Sequence, residues 1–187
     1  MSAASSTKQR ILDIARDLFA RQGYTGTSIA DIARELGTTT AALYYHFPSK
    51  ADILRGLLAE PMVAYTRILN SIQSERPSPA ELLGAFIDLA ADSRELSVMI
   101  DRDPAVLQLI TNQLPESSQK MNEQVIDVLA GPGADRAAVI RAHAAFAVVK
   151  HATLAALSLD DPGTADAKLH PADRDEILTA ALRALGQ

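Results

Sequence analysis

The sequence predicts an all-α protein, with a three-helix N-terminal domain that contains a helix-turn-helix and a larger C-terminal helical bundle. Apolar residues recur at helical spacing along nearly all of the 187-residue chain, and no stretch shows the alternation typical of a β-strand. Hydrophobic residues make up 48% of the chain, which is enough for a substantial core. Glycine and proline fall between the periodic stretches, where helices end. We expect about nine helices from this pattern.

The first three helices follow from their apolar stripes and from the residues that bound them. The first is predicted at 7–22, and the second at 29–36, where Gly37 ends it. The third begins after Thr39, whose hydroxyl suits an N-cap, and runs to about Phe47. We take 1–54 as the first domain, with residues 1–6 disordered.

The remaining helices form a second domain at 55–187. A fourth helix is predicted from Lys50 to about Ile72, with a kink or short break near Pro61, because proline lacks an N–H group. Later helices are predicted at 79–92, 94–101, 104–113, 116–130, 135–158 and 172–185. Within this series the acidic stretch "DRD" at 101–103 can cap the helix that follows it.

Charge is distributed unevenly between the two domains. The net charge is −5, but residues 1–55 hold seven Lys/Arg against five Asp/Glu, while residues 56–187 hold eleven against eighteen. An anionic partner is therefore expected to meet the N-terminal quarter. The alternative is chance variation over a short segment.

Several classes of function lack their sequence signals. The chain has no cysteine, which excludes disulfides and thiolate metal sites. It shows no G-x-S-x-G, P-loop or zinc-protease motif, so we expect neither an enzyme nor a cofactor or metal. The N-terminal "MSAASSTKQR" has no apolar signal core, and no apolar run reaches membrane-spanning length. We therefore expect a cytoplasmic protein without a membrane partner.

Two short helices joined through Gly37 fit a helix-turn-helix, whose second helix lies in the DNA major groove. Tyr44 and Tyr45 are adjacent, so at least one phenol is expected outside the core that Leu43 and Phe47 fill. An ordinary helical hairpin with packed tyrosines is the alternative. The predicted DNA-binding residues are Thr27, Ser28, Thr39, Thr40, Ala41, Tyr44, Tyr45 and Lys50. Of these, Thr27 and Ser28 at the N-terminus of the second helix are expected to bind a phosphate, and Lys50 is expected to contact the DNA backbone.

The stretch "GYTGTSIADIARELGTTTAALYYHFPSKADIL", with "RILDIARDLFARQG" before it, resembles the DNA-binding domain of the TetR family of bacterial regulators. The resemblance covers about Thr7 to Leu54. It implies a homodimer in which ligand binding in the C-terminal domain releases double-stranded DNA, and it places the predicted DNA-binding residues other than Ser28 at DNA-contacting positions. The family often has a basic residue where Thr40 stands and glycine where Ala41 stands, so no base preference is carried over.

The helix predicted at 135–158 is apolar nearly all round: from Ala142 to Leu157, twelve of sixteen residues are apolar. Such a helix is buried on more than one side, and we expect it and the last helix to pair with their copies as a four-helix dimer interface. A central core helix in a monomer is the alternative. The predicted interface residues are Ala145, Ala152, Ala156, Leu178, Ala181, Leu182 and Leu185.

A ligand pocket is predicted in the C-terminal domain from its large apolar side chains, although each of these alone is more often part of a core. The candidates are Met62, Tyr65, Phe86, Met99, Met121, His143 and Phe146, with His151 as a second polar group. The sequence thus predicts a ligand-responsive regulator, a repressor released by a small apolar effector. A helical binding or interaction protein whose head does not bind DNA specifically is the alternative.

Overall fold

The computed structural model describes residues 6–94, 97–99, 103, 105, 106, 108, 109, 117–159 and 168–187, with only the backbone at 117–122, 158 and 159. Every regular element in these ranges is an α-helix, which confirms the predicted class. The helices are α1 Thr7–Gln22, α2 Ile29–Leu36, α3 Thr40–His46, α4 Lys50–Ser74, α5 Pro79–Asp92, α6 Ser117–Ala130, α7 Arg136–Leu159 and α8 Pro171–Leu185. The helices predicted at 94–101 and 104–113 fall largely on residues outside the described part.

The chain forms two compact units. The first contains residues 1–61 and 95–113, and the second contains 62–94 and 114–187. This division reflects packing, and the functional division between residues 54 and 55 stays a prediction. Residue Ser6, within the segment expected to be disordered, is the N-cap of α1 and accepts a hydrogen bond from the backbone N–H of Gln9.

Helices α1 to α4 surround the core of the first unit. Their apolar stripes meet at fully buried side chains, which include Ile11, Phe19, Ile32, Leu43 and Ile53. This is the core that the helical spacing of the sequence predicts.

The connection between α2 and α3 depends on Gly37. This residue has φ 71° and ψ 33°, a left-handed conformation that glycine adopts without steric penalty. Its N–H group donates to the carbonyl of Arg34, and the N–H group of Thr38 donates to that of Ala33. These bonds satisfy the last carbonyls of α2 and turn the chain into α3.

Of the kink or short break predicted near Pro61, the break is wrong, because α4 runs without interruption from Lys50 to Ser74 with Pro61 inside it. The kink stays a prediction. The fixed φ of proline is compatible with a helix, although proline removes one hydrogen bond and its ring presses against the carbonyl four residues earlier. Leu58 and Leu69, on either side, are buried and anchor the helix through this point.

The second unit is a bundle in which α7 packs against α5, α6 and α8. Its core includes Leu83, Ile87, Val125, Ala142 and Ile177. A two-pronged ion pair also joins α8 to α5: the guanidinium of Arg174 donates to both carboxylate oxygens of Asp88, at 2.6 and 2.8 Å. In the ranges that the structure describes, no helix is long and apolar enough to cross a membrane.

Candidate nucleic-acid interface

Helix α3 has one buried face and one exposed face. Thr39 caps it, with its hydroxyl oxygen accepting the N–H group of Ala42 at 3.2 Å, and Leu43 is fully buried. On the opposite side Tyr44 is 50% exposed and Tyr45 is 87% exposed. The exposed residues form a surface that we call the reading face: Thr39, Thr40, Ala41, Tyr44 and Tyr45.

The N-terminus of α2, predicted to bind a phosphate, already holds a carboxylate. The N–H and hydroxyl groups of Ser28 donate to Oδ2 of Asp31 at 2.9 and 2.6 Å, and the Asp31 N–H group donates back to the Ser28 hydroxyl. Hydrogen bonds from the Ser28 side chain and backbone lower the pKa of Asp31. A phosphate would therefore share this helix end with an anionic side chain.

Thr27 lies inside the first unit, so its side chain is not part of the reading face. Only 2% of its surface is exposed. Its hydroxyl donates to the carbonyl of Gly23 at 2.8 Å and accepts from the Gln22 amide at 3.2 Å. These bonds fix the turn after α1, and sequence alone gives no sign of them.

Lys50 is also directed into the first unit. Its ammonium donates to the carbonyls of Tyr24 and Thr27, each at 2.8 Å, and lies 4.2 Å from the centre of the Tyr24 ring. Burial lowers the pKa of Lys50, while the carboxylate of Asp103 acts in the opposite direction. The Lys50 side chain thus links the start of α4 to the turn before α2.

Asp103 was not predicted as a site residue, yet it contacts the same turn. Its Oδ2 accepts the N–H group of Thr25 at 2.8 Å, and its Oδ1 accepts the N–H group of Ala105 at 3.0 Å. The backbone hydrogen bond from Thr25 is the main cause that lowers the pKa of Asp103. The bond to Ala105 is the cap expected from the sequence, whereas the bond to Thr25 spans 78 residues and has no local signal.

Many cations of the first unit are engaged in ion pairs near its surface. The pairs are Arg16–Asp13, Arg21–Glu35, Arg34–Asp31 and Arg55–Asp52. Lys8 is exposed and lies 5.9 Å from the centre of the Phe47 ring. Exposed pairs contribute little stability, so these arginines remain available to exchange a carboxylate for a phosphate.

In the second unit the structure brings three predicted pocket residues together. The ring of Phe86 lies 5.9 Å from that of Tyr65 and 5.0 Å from that of Phe146, measured between centroids. Burial raises the pKa of Tyr65. Met62 is half-buried on α4, and His143 and His151 are exposed on α7, so these histidines do not line an enclosed site.

One predicted pocket residue lies elsewhere, and the side chain of another is not described. Met99 belongs to the first unit, where it lines a cleft of about 430 Å³ beside the end of α1. Met121 is in α6, but its side chain lies outside the described part of the chain.

Thr153 is a polar residue of the second unit that was not predicted as a site residue. It is fully buried in α7, and within the described ranges its hydroxyl oxygen has no hydrogen-bond partner. It follows Phe146 by seven residues, about two helical turns, and therefore lies on the same side of α7.

The predicted dimer residues divide into two groups. Ala145 and Ala181 are fully buried in the core of their own chain, whereas Ala152, Ala156, Leu178, Leu182 and Leu185 are half-buried. The exposed side of α7 instead carries Ala144, Ala147 and Ile140, of which Ile140 is 59% exposed. The face of α7 that a partner could contact therefore contains Ala144 instead of the predicted Ala145.

Residues 11–57 match the model of the bacterial regulatory proteins of the tetR family. The chain is 46% identical over 50 residues to the HTH-type transcriptional regulator AcrR of Shigella flexneri, which covers 27% of this chain and 23% of that protein. It is 34% identical over 116 residues to the HTH-type transcriptional repressor KstR2 of Rhodococcus jostii, which covers 60% and 56% of the two chains. The matches thus span about a quarter to just over half of these relatives.

Solved structures share the fold over nearly the whole chain. Mycobacterium smegmatis AmtR is 25% identical with a TM-score of 0.64, over 100% of this chain and 89% of its own. The ketosteroid regulator KstR2 of Mycobacterium tuberculosis is 21% identical with a TM-score of 0.60, over 98% and 95%. The left-handed turn at Gly37 and the capped α3 lie within residues 11–57, so this part of the chain is similar to the bacterial regulatory proteins of the tetR family.

Proposed function

We propose that this protein is a transcriptional regulator that binds a roughly palindromic DNA site as a homodimer and is released by a small apolar effector. The observation that carries the proposal is the reading face, where two tyrosines are exposed on a helix whose other side is buried. Aromatic side chains exposed to this degree contribute little to a core. Phenols and small hydroxyls at this position suit hydrogen bonds and methyl contacts with base edges.

Repression is the favoured direction of control, because a dimer that occupies a promoter blocks it without further contacts. The relative from Rhodococcus jostii is named a transcriptional repressor, which supports the same direction. A two-fold axis would place the two reading faces about 34 Å apart, one turn of DNA.

The proposed dimer surface is the exposed side of α7 and the half-buried leucines of α8. Alanines at 144 and 147 would let two helices approach closely, and Ile140 would be covered. Ile140→Glu is expected to convert the dimer into monomers in light scattering. Val63→Glu is the matched control, because Val63 is 60% exposed and lies on α4. Equal masses for the two variants would contradict this surface.

The effector site is proposed beside Tyr65, Phe86 and Phe146. Three neighbouring aromatic rings favour an apolar ligand, and the unpaired hydroxyl of Thr153 on the same side of α7 favours one with a single hydrogen-bonding group. A buried polar group without a partner is unfavourable by about 1–3 kcal/mol, which such a ligand would recover.

Selection of duplexes from a random DNA pool by the full-length protein tests the proposed function. We expect a short palindrome whose affinity falls steeply with salt. Tyr44→Ala and Tyr45→Ala should each weaken binding to that site by about tenfold or more, as loss of a base contact does. Gln73→Ala, at an exposed position of α4, is the control and should bind normally.

The second candidate is a helical small-molecule binding protein whose head does not read DNA. The inward positions of Thr27 and Lys50 favour it, because two predicted contacts with the DNA backbone are engaged within the chain. Selection that enriches no sequence, together with tyrosine variants that bind random duplexes as the wild type does, would support this second candidate.

A further inference from the structure

The turn between α1 and α2, residues 23–28, is held by two charged side chains from distant parts of the chain. Lys50 binds the carbonyls of Tyr24 and Thr27. Asp103 binds the N–H group of Thr25, which lies between them. The turn is thus fixed through its carbonyls by a cation and through an amide by an anion.

We propose that Asp103 is a positioning residue for the DNA-binding head: its carboxylate fixes the turn at residues 23–28 and, through that turn, the orientation of the reading face. This inference rests on the proposed function and adds a positioning residue to it. Asp103 is assigned no contact with DNA or effector.

The path from Asp103 to the reading face is short. Thr25 is anchored by the carboxylate, and the hydroxyl of Thr27 ties the same turn to the carbonyl of Gly23, directly after α1. Ser28 follows as the cap of α2, which leads through Gly37 to α3. A shift of Thr25 therefore moves the start of α2 and changes the orientation of α3.

The turn and the residues around Asp103 line the same cleft. Gly23, Thr25 and Gly26 line one wall of the 430 Å³ cleft, and Val98, Met99 and Asp103 line the other. The hydrogen bond from Thr25 to Asp103 is a directional contact between residues that line this cleft.

The test compares Asp103→Ala, Asp103→Asn and the control Asp17→Ala, using the duplex selected by the wild-type protein. Asp17 is an exposed carboxylate on α1. Removal of a negative charge alone should strengthen DNA binding slightly. We expect Asp103→Ala to weaken binding by about tenfold, as loss of a charged hydrogen bond allows. Asp103→Asn retains an oxygen for Thr25 and should bind within about threefold of the wild type.

Amide hydrogen exchange at Thr25, followed by NMR without DNA, gives a second readout. The Thr25 amide should be protected in the wild type and Asp103→Asn, and should exchange faster in Asp103→Ala. Faster exchange with unchanged DNA affinity would overturn the positioning role. An unprotected wild-type amide would overturn the contact. If the wild type selects no duplex, the proposed function fails, and protection at Thr25 still supports the contact by itself.

Discussion

Lys50→Met separates two roles for one side chain, a contact with DNA phosphate and a clamp on the turn before α2. The sequence predicts the first role. The structure directs the ammonium to the carbonyls of Tyr24 and Thr27, which favours the second. Methionine retains an apolar stem against the Tyr24 ring and removes only the charged donor.

The expected magnitude follows from the two hydrogen bonds and the ring stacking that the substitution removes. A hydrogen bond from a charged group contributes about 1.5–3 kcal/mol, so two of them give about 3–6 kcal/mol. The cation–π interaction of the ammonium with the Tyr24 ring adds about 0.5–1 kcal/mol at a site of this exposure. Because Lys50 is only half-buried, water can reach the freed carbonyls, and we expect a decrease near the lower end, about 3 kcal/mol.

Urea unfolding and DNA binding at several salt concentrations measure the two roles in one set of variants. The clamp predicts a fall of about 3 kcal/mol in the free energy of unfolding. It also predicts an unchanged slope of log affinity against log salt. Lys8→Met is the control, because Lys8 is exposed and makes only a distant contact with Phe47. A stability within about 1 kcal/mol of the wild type, with a salt slope smaller by about one unit, would refute the clamp.

Three further predictions concern stability. Thr153→Val, which replaces an unpaired buried hydroxyl with a methyl group, should raise the free energy of unfolding in urea by about 1 kcal/mol, whereas Thr66→Val, at an exposed hydroxyl, should not. A Cβ at residue 84 would lie 3.0 Å from Nη2 of Arg174. Gly84→Ala should therefore be near neutral in the wild type, but should stabilise the Arg174→Ala variant by about 1 kcal/mol. Equal changes in the free energy of unfolding in the two backgrounds would exclude this steric conflict. Hydrogen bonds lower the folded-state pKa values of Asp31, Glu81 and Asp103. The ionised carboxylates therefore stabilise the folded protein fully above their ordinary pKa, and this stabilisation is lost as the pH falls below about 4. Thermal unfolding between pH 7 and pH 3 should show this loss, and Asp103→Asn should reduce it.

Features set by neighbours in sequence were predictable. Ser28 with Asp31 and Ser78 with Glu81 form capping boxes, and Gly37 adopts the left-handed conformation that ends α2. Each arrangement involves residues within one helical turn, so their spacing in the sequence fixes their geometry. The same local reasoning predicted that at least one of Tyr44 and Tyr45 is exposed, because adjacent helical residues cannot both face one core, and the structure exposes both.

Contacts between distant residues were not predictable. Lys50 reaches a turn 26 residues earlier, and Asp103 reaches it across 78 residues. No periodicity in the sequence indicates that these charges meet at one turn. A lysine at a helix start and an aspartate before a helix each have a sufficient local role, which conceals the distant one.

The alanine-rich α7 shows a different limit of sequence reasoning. A helix that is apolar all round has no hydrophobic stripe to reveal which side faces its own core. The structure places Ala142, Ala145 and Val149 inside and leaves Ala144 and Ala147 exposed. A rotation of about 100° separates Ala144 from Ala145, and only packing against α5, α6 and α8 decides it.

The reading face consists of uncharged residues, and charged pairs lie elsewhere on the first unit. This arrangement favours DNA recognition through contacts with base edges over attraction to phosphates. Arg34 and Arg55 are paired with Asp31 and Asp52, so a phosphate gains either arginine only by displacing a carboxylate. That exchange reduces the net electrostatic gain from each phosphate contact. In the proposed complex with DNA, the hydroxyl, methyl and phenol groups of α3 therefore provide much of the preference for one sequence over another. The proposed role of the turn that Lys50 and Asp103 hold joins this DNA specificity to the positioning of that turn.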